Sequence, residues 1–201
     1  MCKTEKNLIW LNCFFIASLL IANVVAGKIV SIGCFVLPAA VVAYPITFLC
    51  TDIIGEIWGE QEANKTVKKG FIIQIFALLL LYIAILLPPA SFAKEFQLQF
   101  SEVLSNSARF VIASLCAYIV SQHCDVKLFH GLKRKFLKQK WLRNNTSTMT
   151  SQLIDTALFI TIAFYGTVPD LFLMIVSQYI VKCIMALLDT PFFYFFTRSE
   201  K

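Results

Sequence analysis

Asp52 and Glu56 stand four residues apart in an otherwise apolar run, and Gln152 and Asp155 three apart in a second. Gln178, Lys182 and Asp189 occupy positions i, i+4 and i+11 of a third. On an α-helix such spacings place each set on or near one face. Asn23 lies in a further apolar run, and Gln122 follows Ser121 near the end of another. A charge at the centre of a bilayer costs roughly 2.5–3.5 kcal/mol on insertion scales, so it normally faces protein or a wet cavity and marks a candidate functional site. The chemistry open to this set is recognition of a polar ligand. Carboxylates accept N–H donors, amides serve donors or acceptors, and Lys182 offers a charge-assisted donor and a counter-ion for the acids. Bare acids crowded together repel one another, so protonation, Lys182 or a ligand must relieve them. Asp52, Glu56 and Asp189 lie close enough to helix ends for snorkelling to hydrate them, and such groups also glue helices together. Lys182 has no easy route to either interface.

Other chemistry is thin. The seven cysteines form no CxxC pair, their number is odd, and most lie in apolar runs, where Cys behaves as a small hydrophobe. His123, Cys124, Asp125 and His130 match no standard zinc spacing, and no metal is expected. Phosphate-cradling glycine motifs, GxSxG and HExxH are all absent, so neither an enzyme nor a cofactor is expected.

The elements that must position these groups follow from composition. The chain has 201 residues, 58% of them apolar and 15% charged, with 19 phenylalanines. A typical soluble domain is about 25% charged. Mean hydropathy is +0.73. A single soluble domain of this length cannot hide that much apolar surface, and intrinsic disorder is excluded by the same composition. Six runs are long enough to cross about 30 Å of hydrocarbon. They are Leu8–Ala26, Ala39–Trp58, Phe71–Leu87, Val103–Cys124, Met149–Gly166 and Leu171–Phe196. Pro38 falls in the first turn of the second span and Pro45 is expected to kink it. Ser147 or Thr148 is expected to cap the fifth. The short apolar segment Ile29–Leu37 reads as re-entrant or outer-face. The fold class expected is all-α: a single polytopic membrane domain over residues 1–201, with six transmembrane helices.

Six spans place both termini on one side. With the termini cytoplasmic, every Lys and Arg except Lys28, Lys94, Arg109 and Lys182 falls on the cytoplasmic side, as the positive-inside rule requires. This accounts for the net charge of +6 without a nucleic-acid partner. Between the fourth and fifth spans, Leu128, Phe129, Leu132, Phe136, Leu137, Trp141 and Leu142 recur at helical spacing among lysines and arginines. This predicts a cytoplasmic amphipathic helix lying on the membrane surface. Asp52, Asp155 and Asp189 then all lie about 9–10 Å from the cytoplasmic boundary, which predicts a polar chamber in the inner half. Ser-Gln recurs at 121, 151 and 177, a weak hint of a 3 + 3 repeat pairing the second span with the fifth.

The ordered set Ala22-Asn23-Val24-Val25-Ala26-Gly27-Lys28, Pro45, Thr51-Asp52-Ile53-Ile54-Gly55-Glu56-Ile57-Trp58-Gly59, Trp141 through Thr148, Ser151-Gln152, Asp155-Thr156, Lys182 and Thr190-Pro191 resembles the queuosine precursor transporter family, formerly called vitamin uptake transporters. The resemblance spans nearly the whole chain. Gly55 departs from it, since many members carry a larger polar residue there. It implies six helices and import across the inner membrane of 7-deazaguanine bases for transfer RNA modification. These bases are queuine, 7-cyano-7-deazaguanine and 7-aminomethyl-7-deazaguanine. On this reading Asp52 or Asp155 reads the guanine-like edge with Gln152 and Asn23 assisting, while Phe and Tyr rings stack on the flat base.

Two rival readings stand beside it. A substrate-capturing membrane subunit of an energy-coupling-factor importer would dock through small residues of its first helix, such as Ala22 and Ala26. A non-transporting membrane scaffold would tolerate neutralisation of its buried acids. The partners expected are the small base and the lipid bilayer. No direct nucleic-acid contact is expected, and self-association is compatible with the sequence.

Overall fold

A computed structural model describes the backbone of residues 3–135 and 140–197, and the side chains of residues 3–121, of Cys124 and of residues 149–185. The described chain is mostly helical. Its elements are α1 (Glu5–Val25), the strands β1 (Ile29–Ile32) and β2 (Phe35–Pro38), a 3-10 turn (Ala39–Val42), α2 (Tyr44–Trp58) and α3 (Glu60–Leu86). A second 3-10 turn (Ser91–Ala93), α4 (Lys94–Lys135), α5 (Lys140–Phe164) and α6 (Leu171–Thr197) complete it. Among the described residues three stretches are long and apolar enough to cross a membrane: Glu5–Val25, Glu60–Leu86 and Ser91–Ser121. Within the described residues Met149–Phe164 and Leu171–Met185 are shorter apolar helices.

Helix α3 is inside-out relative to a helix of a soluble bundle. On α3 the buried residues are Thr66, Gly70 and Gln74, spaced four apart on one stripe. Ile72, Ile75, Phe76, Leu79, Leu80 and Ile83 of the same helix are exposed. Water would drive that arrangement to invert, whereas lipid accepts it, because close packing and interhelical hydrogen bonds hold helices together there. The Thr66 hydroxyl donates to Asn12 Oδ1 of α1 at 2.8 Å. A Cβ on Gly70 would stand 2.6 Å from Phe15 Cε1 and 3.0 Å from Leu19 Cδ2, so only glycine permits this approach of α3 to α1. Lysines follow the expected edge of α3, where Lys65 and Lys69 flank Glu62 at 2.9 and 3.7 Å.

Several expectations are corrected. The segment Ile29–Leu37, expected to be re-entrant or outer-face, takes the form of an antiparallel hairpin, with Ile29 opposite Pro38 and Ile32 opposite Phe35. Its two-residue turn is Gly33-Cys34. Gly33 has φ +61 and no non-glycine residue among those described has positive φ, the pattern a II′ hairpin turn demands of its first central residue. Pro45 does not kink the second span. The span breaks earlier, into a 3-10 turn and a 15-residue helix, and Pro45 sits in the first turn of that helix, where a missing N–H costs nothing. At 1.5 Å per residue α2 is only about 22 Å long. Neither Ser147 nor Thr148 caps α5, which runs through them from Lys140. The helices α3 and α4 likewise begin before the apolar runs Phe71–Leu87 and Val103–Cys124. The side chains of the amphipathic segment Lys127–Arg143 lie outside the described residues, as do those of His123, Asp125 and His130. Among the described residues no three His, Cys, Asp or Glu side chains cluster as a metal site would require.

Arg109, one of the four cations away from the cytoplasmic set, has a structural use. Its Nε donates to the Ile162 carbonyl and its Nη2 to the Tyr165 carbonyl, each at 2.7 Å. These are end carbonyls of α5, which lack partners within the helix and favour a cation. Asp170 Oδ1 accepts the Leu173 N–H at 2.9 Å and so caps the start of α6.

Candidate binding site

Lys182 emerges from the buried side of α6. Its Nζ donates to Asp155 Oδ2 and to Thr156 Oγ1 of α5, both at 3.0 Å. Thr156 is fully buried, and its hydroxyl donates in turn to the Gln152 carbonyl at 2.8 Å. The hydroxyl hydrogen is therefore committed to the helix, and the oxygen is free to accept from the lysine. The ammonium also lies 5.7 Å from the centroid of the Tyr44 ring on α2, within cation–π range. Lys182 thus ties α5 and α2 to α6, and two of its three N–H donors are taken by Asp155 and Thr156.

Beside this knot lies a small cleft between α2 and α6. Val41, Tyr44, Pro45, Phe48, Gln178, Lys182 and Met185 line it; it has room for about one water molecule, so a larger ligand enters only as α2 and α6 part. The residues Tyr44 and Phe48 are one turn apart and their rings are stacked, with centroids 6.4 Å apart and planes inclined by 29°. On the opposite wall Gln178 and Lys182 are also one turn apart. The hairpin abuts this wall, where the Val36 N–H donates to Ser177 Oγ at 3.2 Å. An aromatic wall facing an amide and an ammonium suits a flat ligand with a polar edge.

The structure brings some of the expected site residues together and not others. Gln178 and Lys182 line the cleft, and Asp155 is bonded to Lys182. Gln152 is one turn before Thr156 on α5, half-buried, with its carbonyl engaged. Asp52 and Glu56 are exposed, and they continue in four-residue steps the α2 face on which Tyr44 and Phe48 stand. Asn23 is buried on α1 and does not line the cleft; its Nδ2 donates back to the Leu19 carbonyl at 3.0 Å. The side chains of Gln122 and Asp189 lie outside the described residues; Asp189 follows Met185 by one turn of α6.

Tyr44 and Phe48 are not singled out by the sequence, and Thr156 stands out there only beside Asp155 in the resemblance. Aromatic residues and threonine carry no penalty in an apolar run, so nothing in the pattern singles them out. Gln74 is different. It stands in the third span and was open to the same reasoning as Gln178, and it is 2% exposed with neither amide atom partnered.

Three helices apolar enough to cross a membrane, an α3 that buries Thr66, Gly70 and Gln74 while turning its apolar residues outward, and a Lys182–Asp155 ion pair between helices define an integral membrane protein with a polar site between its helices. The chain belongs to the family described as "Putative vitamin uptake transporter", whose profile matches residues 38–196. It is similar to the "Probable queuosine precursor transporter" of Bacillus subtilis (strain 168), with 34% identity over 157 residues, 76% of this chain and 68% of that protein. It is 29% identical over 179 residues to the protein of that name from Haemophilus influenzae, covering 81% of this chain and 72% of the relative. It is 31% identical over 169 residues to the "Queuosine precursor transporter" of Escherichia coli (strain K12), covering 84% and 73%. No solved structure matches the chain.

Proposed function

We propose that this chain carries queuosine precursors across the inner membrane, as a single domain of six transmembrane helices with both termini in the cytoplasm. The cargo is a 7-deazaguanine base such as queuine, 7-cyano-7-deazaguanine or 7-aminomethyl-7-deazaguanine. The chain moves it without catalysing a reaction on it. The names of its relatives support the cargo. The observation that carries the reading to these residues is the Lys182 ammonium, held by Asp155 and Thr156 beside the Tyr44–Phe48 rings. An ammonium supplies a strong donor to the carbonyl of such a base, and the rings supply stacking worth about 0.5–1.5 kcal/mol per pair.

In this reading Gln178 and Lys182 touch the base, and Asp155 holds Lys182. Asp52, Glu56 and Asp189 form the acidic way from the cleft to the cytoplasm. Gln122, Gln152 and Asn23 are supporting polar groups of the interior. The basic segment Lys127–Arg143, which takes in the end of α4 and the start of α5, lies at the cytoplasmic leaflet.

The importer-subunit alternative depends on a free small-residue surface on the first helix. Ala22 and Ala26 are each 1% exposed and pack into the protein's own core with Ala40, Ala43 and Phe110, which counts against it. Reconstitution into liposomes tests the proposal. Labelled 7-cyano-7-deazaguanine accumulates inside vesicles holding this chain alone. Entry no faster than into protein-free vesicles contradicts it, and a comparison with and without a pH gradient tells coupled from facilitated movement.

A further inference from the structure

Gln178 is 2% exposed, and its Oε1 has no hydrogen-bond donor among the described residues. A buried amide oxygen without a partner is a costly thing to keep unless something arrives to use it. The side chain lies in the cleft wall rather than in a sealed core, one turn of α6 from Lys182 and opposite the stacked Tyr44 and Phe48 rings. Its neighbour Ser177 is pinned to the hairpin by the Val36 N–H, so this stretch of α6 is fixed in place. The wall therefore carries an amide with an unpartnered oxygen and an ammonium on successive helical turns, about 5–6 Å apart at their Cβ atoms, and the oxygen is reached as the narrow cleft opens. That order complements a ring edge with a carbonyl at one end and an amino group at the other.

Resting on the transport reading above, we propose that Gln178 is the specificity-determining residue of the cleft. Its Oε1 accepts from the exocyclic amino group of the base, while the remaining Lys182 N–H donates to the ring carbonyl and the ring lies against Tyr44 and Phe48. The recognised edge is then the amino-and-carbonyl edge, and discrimination falls on analogues that lack the amino group. A site built to bond a polar group rejects the analogue without it strongly, because its own buried group stays unpaired.

The test is competition in proteoliposomes holding the full chain. Uptake of labelled 7-cyano-7-deazaguanine is measured against unlabelled 7-deazaguanine and against 7-deazahypoxanthine, which differs from it by loss of the amino group. The expected result is that the desamino base competes at least about tenfold more weakly. Gln178→Met removes the acceptor and brings the two competitors to within about twofold of each other, through weaker binding of the amino base. Gln178→Glu presents oxygen whichever way the end of the side chain is turned, and it keeps the discrimination. Equal competition by the two bases in the wild-type chain overturns the inference even if Gln178→Met fails to fold. So does unchanged discrimination in a folded Gln178→Met. Loss of all labelled uptake by the wild-type chain instead overturns the transport reading, so the two failures are distinct.

Discussion

Lys182 Nζ lies 3.0 Å from Asp155 Oδ2, yet the two side chains are unequally buried: the lysine is 8% exposed and the aspartate 32%. The pair is therefore asymmetric. Removing the carboxylate strands a buried ammonium, whereas removing the ammonium leaves a carboxylate that is less enclosed by protein and can take up a proton.

This asymmetry predicts that Asp155→Ala costs more stability than Lys182→Met. The expected loss is about 2–3 kcal/mol for the first, because an uncompensated charge stays buried. About 1 kcal/mol or less is expected for the second, as for exposed pairs. The double variant recovers part of the first loss. Unfolding in detergent micelles, followed by helical circular dichroism, measures all three. Equal losses from the two single changes would mean that the pair is not asymmetric.

Gly70→Ala tests the close approach of α1 and α3. A methyl group there meets Phe15 and Leu19 inside contact distance. Overpacking of this kind costs about 1–3 kcal/mol. The midpoint of thermal unfolding falls, while Gly33→Ala acts through backbone strain at φ +61 and not through a clash. An unchanged midpoint for Gly70→Ala would show that the helices do not meet there.

Tyr44→Leu removes one ring of the stacked pair and the cation–π partner of Lys182. A stacking contribution of about 0.5–1.5 kcal/mol corresponds to a rise of about 2- to 12-fold in the base concentration giving half-maximal uptake. Tyr44→Phe retains most of the affinity. Initial rates over a concentration series in proteoliposomes decide this.

Cys34 sits exposed in the hairpin turn. The proposed topology, with both termini cytoplasmic, puts that turn on the outer face. In a variant keeping Cys34 and no other cysteine, a membrane-impermeant maleimide labels intact cells. Labelling restricted to inverted vesicles would reverse the proposed topology.

What could be read in advance divides along physical lines. The Lys182–Asp155 partnership is legible because charge in an apolar run is expensive and must be answered nearby. The same logic marks Gln178. The inward-facing stripe of α3 is not legible from periodicity, because in lipid the apolar residues need not face the core, and Thr66, Gly70 and Gln74 do so. The hairpin is hidden because a short apolar run reads equally as helix or strand, and Gly33-Cys34 is a weak turn signal. Tyr44 and Phe48 are hidden because the second span is apolar throughout their turn and gives no reason to prefer one face.

The central claim is that an interior ion pair and its neighbouring cleft hold a flat polar base in transit. Its most direct test is the initial rate of labelled 7-cyano-7-deazaguanine entry into proteoliposomes holding wild-type chain, Asp155→Asn or Lys182→Met, each shown to be folded and present in equal amount. The account predicts at least about a tenfold fall for both variants, the loss expected when a charge-assisted contact to the ligand is removed or misplaced. Wild-type rates in both variants would contradict it.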